Sequence, residues 1–280
     1  MSRGLGYRPA MISQEDTLQE ETLNKSPEGR PKDHMAGETA DFGFRLVERA
    51  DKARLVKGVF DSVAARYDLM NDLMSAGVHR LWKAALIDQL KPHPSMRLLD
   101  VAGGTGDIAL RFLEHGGRDV TVCDINAEMV LAGRDRAIDK GVLGGVQWSV
   151  GDAQSLPVPD NAFDAYTIAF GLRNVTDIDA ALAEARRVLK PGGRFLCLEF
   201  SQVALPGLAT LYDRYSYDIV PKLGRWVARD EGAYVYLIES IRRFPDQAAL
   251  LARLSAAGLA RARVQNLSGG IVAIHSAWRI

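Results

Sequence analysis

Ten residues, Leu98-Leu99-Asp100-Val101-Ala102-Gly103-Gly104-Thr105-Gly106-Asp107, lead an apolar run into a glycine-rich turn. Glycine has no Cβ, so the backbone at such a turn can lie against a ligand. A helix that starts beyond it offers N–H groups to a carboxylate or a phosphate. Gly104-x-Gly106-x-x-Ala109 also fits a dinucleotide fingerprint, and a tight turn without a ligand is the plainer reading. Three acids narrow the choice. Asp100, late in the first strand, can pair with a cationic amine and would be ill placed beside a pyrophosphate. Asp124 ends the second strand, where an acid reaches two ribose hydroxyls. Gly151-Asp152-Ala153 ends the third, where a carboxylate can accept from an exocyclic amine or a backbone N–H can donate to a ring nitrogen. An amino-acid end, a ribose and an adenine together describe S-adenosylmethionine.

The elements that must hold these residues alternate. Strands are expected at Arg97–Ala102, Asp119–Asp124, Val146–Val150, Phe163–Phe170 and Arg194–Phe200. Helices are expected at Asp107–Glu114, Asn126–Asp139 and Asp177–Leu189, the second capped by Asn126 and the third stopped by Pro191-Gly192-Gly193. That spacing predicts an α/β, Rossmann-like sheet, mostly parallel, with helices on both faces. Pro245–Ala257 is a further helix. Ala260–Gln265 and Ile271–Trp278 are then two strands joined by five residues, too few for a crossover helix, so they form an antiparallel hairpin. Upstream, Val56, Phe60, Val63 and Tyr67 share one helix face, and Val78–Leu90 is a second helix ended by Pro92 and Pro94.

The chain has 280 residues, with 35 basic and 35 acidic, and 47% hydrophobic. A protein that coats nucleic acid carries a basic excess, and none is present. The two cysteines, Cys123 and Cys197, sit in apolar runs and read as buried structural thiols. No stretch approaches the ~18 apolar residues of a membrane span. Residues 1–40 contain few large apolar side chains and are read as a disordered extension, with Met35 as an alternative start. Its acids Glu15, Asp16, Glu20 and Glu21 argue against a transit peptide, so a cytoplasmic setting is expected. Residues 41–280 are expected to be one domain, with 41–92 a helical lid and 202–232 a helical insertion.

Asp100 through Asp107, Asp124, Gly151-Asp152-Ala153 and Leu189-Lys190-Pro191-Gly192-Gly193 resemble the class I S-adenosylmethionine-dependent methyltransferases, whose sheet has seven strands. Longer motifs narrow the match. They are Phe60-Asp61-Ser62-Val63-Ala64, Tyr67-Asp68, Met70-Asn71-Asp72, Gly77-x-His79-Arg80-x-Trp82-Lys83, Phe170-Gly171-Leu172-Arg173-Asn174-Val175-Thr176-Asp177, Leu198-Glu199-Phe200-Ser201 and Glu239-Ser240-Ile241-Arg242. These resemble the ubiquinone/menaquinone biosynthesis C-methyltransferases over about residues 41–280. Ala102 stands where many methyltransferases have glycine. The resemblance implies methyl transfer to a ring carbon of a polyprenyl benzoquinol, a demethylmenaquinol or both. It implies that Gly104, Thr105, Asp124, Asp152 and Ala153 bind the cofactor, with no metal.

Ring-carbon methylation needs a phenolate-like ring, hence proton removal and positive charge near the oxygen. Arg173 and Asn174 follow the fourth strand at the edge that faces the ligand crevice. Arg173 stays protonated and cannot be the base. Tyr67, Asp68, Asp72 and His79 lie on the lid helices. Tyr67 joins Arg173 and Asn174 as a catalytic candidate, with packing as its plainer role. A polyprenyl tail lives in a bilayer, and the mixture of Leu205, Leu208, Tyr212, Trp226, Lys222 and Arg225 suits peripheral contact with the inner face of a membrane. Contact with other quinone-biosynthesis enzymes and a homodimer are compatible with this reading. The rivals are a methyltransferase of another small aromatic acceptor, a non-catalytic S-adenosylmethionine-binding subunit, and an NAD-dependent oxidoreductase.

Overall fold

The computed structural model describes residues 39–63, 75, 77–204, 207, 212 and 231–280. A hairpin comes first, β1 (Thr39–Phe42) with β2 (Arg45–Glu48), turned at Gly43. Gly43 has φ +61°, and a Cβ there would strike Glu239. The helix α1 (Arg49–Val63) follows, then α2 (His79–Leu90). The alternation then runs β3 (Arg97–Val101), α3 (Asp107–Glu114), β4 (Asp119–Asp124), α4 (Ala127–Asp139), β5 (Val146–Val150) and β6 (Phe163–Ala169). A 3-10 turn at Leu172–Asn174 leads to α5 (Ile178–Val188) and β7 (Leu189–Phe200). The chain continues with α6 (Glu231–Arg243), α7 (Gln247–Ala256), β8 (Leu259–Leu267) and β9 (Val272–Arg279).

Seven strands form one sheet in the order β5-β4-β3-β6-β7-β9-β8. Pairs among β3 to β7 are parallel, while β9 pairs antiparallel with both β7 and β8. The expected seven-stranded sheet with its antiparallel close is therefore present. Alternate residues of each central strand feed opposite cores. Leu98, Leu196, Leu198 and Phe200 pack with Trp82, Leu86 and Ile87 of α2 and Phe112 of α3. Leu99, Val101, Tyr166 and Ile168 pack with Leu182 of α5 and Leu250 and Leu254 of α7. Cys123 and Cys197 are buried in the second core and unbridged. Asn126 caps α4 by accepting from the N–H groups of Glu128 and Met129.

Three expectations change. Thr39 and Ala40 already pair with Glu48 and Val47, so the expected extension cannot reach residue 40. The N-terminal segment is not purely helical, because the β1–β2 hairpin precedes α1; Phe42 stacks on Tyr236 of α6 at 4.3 Å and holds it there. The last strand of the parallel set starts at Leu189 rather than Arg194, since Leu189 pairs with Phe163 across an irregularity before Arg194 pairs with Ala165. Residues 1–38 and nearly all of 202–232 beyond Ala204 lie outside the described residues. No helix among the described residues is long and apolar enough to cross a membrane.

Candidate active site

The carboxyl ends of β3, β4, β5 and β6 surround one cavity. Its wall includes Ala102 and Gly104 after β3, Asp124 to Asn126 after β4, and Gly151 to Gln154 after β5. Phe170, Gly171 and Asn174 to Thr176 close it after β6, and Ala53, Val56 and Lys57 of α1 cover it. Four of the five predicted cofactor residues, Gly104, Asp124, Asp152 and Ala153, meet here.

Asp124 is the hub. Its Oδ2 accepts from the Gly104 N–H at 2.8 Å and its Oδ1 from the Asn126 N–H at 2.9 Å. Each carboxylate oxygen keeps a further lone pair, enough for two vicinal hydroxyls. Burial raises its pKa above the ordinary range, opposed by those two backbone bonds. Asp152 is turned inward on its own loop, where both carboxylate oxygens accept from the Gln154 amide at 3.0 Å. Ala153, Ile125, Met129 and Val175 give the cavity apolar surface for an adenine.

Thr105 does not line the cavity. Its hydroxyl accepts from Arg136 of α4 at 3.1 Å, which ties the glycine turn to that helix. Asp100 is fully buried behind the turn, where Oδ1 accepts from the Thr167 hydroxyl at 2.8 Å and Oδ2 has no hydrogen-bond partner. A Cβ on Gly103 would lie 2.9 Å from that second oxygen. The carboxylate therefore stands behind the turn rather than in the cavity.

The three catalytic candidates separate. Asn174 lines the cavity, and its Oδ1 accepts from the Tyr236 hydroxyl at 3.1 Å. Burial pushes the Tyr236 phenol up to about 12, so it remains a donor. Arg173 points away from the cavity. Its side chain is 3% exposed and paired with Glu199, 1% exposed, at 2.7 Å. Glu199 also accepts from the Arg173 and Phe200 N–H groups, and the guanidinium lies 5.6 Å over the Phe200 ring. Tyr67, with Asp68 and Asp72, lies outside the described residues. His79 is buried at the start of α2, its N–H donating to the Ser75 hydroxyl. Glu199 was legible as a lone acid in the apolar run Phe195–Phe200; the Tyr236 contact had no local signal.

Ala102 and Gly171 fit as a pair. Ala102 has φ +51°, a conformation that favours glycine, and a Cβ on Gly171 would approach its Cβ to 2.4 Å. Gly171→Ala is expected to lower stability by about 1–3 kcal/mol through overpacking. Ala102→Gly in the same chain should recover most of it. Denaturant unfolding of the two variants checks this; equal loss in both would show that the contact is not with Ala102.

The sheet order with its single antiparallel insertion, and a cavity built from an acid, a glycine turn and an apolar adenine wall, define a class I S-adenosylmethionine-dependent methyltransferase. Solved structures share the fold. An S-adenosylmethionine-dependent methyltransferase of Thermotoga maritima, described as a possible histamine N-methyltransferase, is similar with TM-score 0.57 at 18% identity, over 80% of this chain and all of that one. The structure of a Haloferax volcanii putative methyltransferase complex with its Trm112 activator gives a TM-score of 0.58 at 17% identity, over 79% and 97%. The model of the ubiE/COQ5 methyltransferase family matches residues 34–279, and the chain belongs to that family. It is 54% identical to the ubiquinone/menaquinone biosynthesis C-methyltransferase of Caulobacter vibrioides, over 88% of this chain and 100% of that protein. The protein so named in Paracoccus denitrificans is 55% identical, over 85% and 96%.

Proposed function

We propose that this protein transfers a methyl group from S-adenosylmethionine to a ring carbon of a polyprenyl benzoquinol, a demethylmenaquinol or both, in ubiquinone/menaquinone biosynthesis. The observation that carries the reading is more than half identity over essentially the full length of C-methyltransferases of that pathway. The cavity fits the cofactor, since Asp124 keeps acceptor capacity toward two hydroxyls and the left-handed Gly104 (φ +54°) leaves the turn open where a side chain would press on Met129. When bound, S-adenosylmethionine supplies an electrophilic methyl on a sulfonium.

The protein's own work is to hold and polarise the ring. With Oδ1 of Asn174 taken by Tyr236, its Nδ2 hydrogens are the ones to donate toward a developing phenolate oxygen. Arg173 acts from behind the turn, adding positive charge that Glu199 partly offsets. The acceptor's tail makes the protein a peripheral visitor of the membrane surface.

The test is turnover by the purified chain with methyl-labelled S-adenosylmethionine and each quinol. Label on a ring carbon is expected; label on oxygen, or none with either quinol, overturns the reading. A deletion strain should accumulate the demethylated quinone. Asp124→Ala is expected to weaken S-adenosylmethionine binding by about 1.5–3 kcal/mol, the worth of hydrogen bonds to a charged group. Calorimetry on the folded variant checks this, and unchanged affinity would remove Asp124 from the site.

A further inference from the structure

At the opposite edge of the sheet from the cofactor cavity, the face of β8 and β9 beyond the end of α2 forms a groove of about 490 Å³. Three arginines line it, Arg194, Arg261 and Arg263, together with Gln89, Ser276 and Trp278. No carboxylate is in that lining, and neither Arg261 nor Arg263 forms an ion pair among the described residues. Some arginines elsewhere on the surface find acids, as Arg97 does with Asp119 and Arg253 with Asp179.

The backbone is bent to make this cluster. The β8–β9 register shifts between Ala260 and Arg263, and Arg261 within that bulge has φ +54°. A left-handed conformation is costly for a residue with a Cβ, and bulges re-aim side chains. Arg194 forms the floor. Its guanidinium lies 5.3 Å over the Trp278 ring, one Nη donates to the Gln89 carbonyl, and its buried Nε has no hydrogen-bond partner. Guanidinium forks match tetrahedral oxyanions, and the exposed Arg261 and Arg263 bring two of them to the groove.

We propose that this groove is a phosphoryl-binding site, remote from the cofactor cavity, which takes a phosphate or diphosphate group carried by a small soluble molecule or a lipid headgroup. The probe is inorganic pyrophosphate, titrated into the full chain by calorimetry at constant ionic strength. A companion arm measures co-sedimentation with phosphatidylcholine vesicles, with and without phosphatidylglycerol. The variant is Arg261→Asn with Arg263→Gln, because asparagine tolerates the left-handed conformation and both positions are exposed.

One-to-one pyrophosphate binding that falls at least tenfold in the variant supports the proposal with a soluble ligand. Sedimentation that needs phosphatidylglycerol, is lost in the variant and is competed by pyrophosphate supports it with a lipid source. The variant should keep its melting temperature and its affinity for S-adenosylmethionine. Indistinguishable behaviour of wild type and variant in both arms overturns the proposal, as does preference for an acidic peptide over pyrophosphate.

Discussion

Glu199→Ala is expected to cost about 3–5 kcal/mol of folding stability, the penalty for leaving a buried charge without its partner. Arg173 cannot shed its proton, and its guanidinium is 3% exposed, so water cannot replace the lost carboxylate. The variant also strips an acceptor from the N–H groups of Arg173 and Phe200. For a domain of this size the melting temperature should fall by on the order of 10 °C. Replacing both partners, Arg173→Met with Glu199→Leu, removes the charge along with its partner and should recover much of the stability. Turnover should still be lost in the double variant. Guanidinium chloride unfolding checks the first result; a loss under about 1 kcal/mol would mean that the pair is hydrated in solution.

A second large effect is expected at Asp100. Burial pushes its carboxyl up to about 7, helped by the nearby Asp107 and Asp124 and opposed by the Thr167 hydrogen bond and by Lys83. In the unfolded chain the group titrates near 4. Between those values the native state keeps a proton that the unfolded state gives up. The stability this provides is fully present below about pH 4 and is lost as pH rises through 7. A rise of that size corresponds to about 4 kcal/mol. Asp100→Asn keeps an oxygen for the Thr167 hydroxyl and cannot ionise. The variant should match the wild type near pH 4 and exceed it by up to about 4 kcal/mol at pH 8. Urea unfolding at a series of pH values gives the difference directly. Parallel profiles would show that Asp100 has an ordinary pKa in the folded protein.

The middle of the sheet was legible because its central strands, β3, β4, β6 and β7, are largely buried on both faces and therefore read as short apolar runs such as Phe195–Phe200. The antiparallel close followed from connection length alone. The β1–β2 hairpin was not legible, because its strands have four residues each and are held from afar. Phe42 stacks on Tyr236, and the Phe44 N–H donates to Glu239 almost two hundred residues away. In the site, glycines and acids at strand ends announced themselves, since few other residues suit those positions. Directions of side chains did not. Arg173 and Asn174 are neighbours in sequence, yet the 3-10 turn sends one to the cavity and the other to Glu199. The same limit applies to Thr105, whose hydroxyl answers to Arg136 on a helix whose register no local pattern reveals.

The strand order has a consequence for synthesis on the ribosome. β7 takes its outer partner not from its successor in sequence but from β9, and some seventy residues separate Phe200 from Val272. At ~5–20 residues per second, that edge waits roughly 4–14 s for its partner. During that interval Phe195 to Phe200 present an unpaired backbone edge with apolar side chains, the kind of surface that seeds aggregation. The nascent chain therefore has reason to be met by a chaperone after β7 emerges, and a pause in translation between α7 and β9 should lower the yield of native protein.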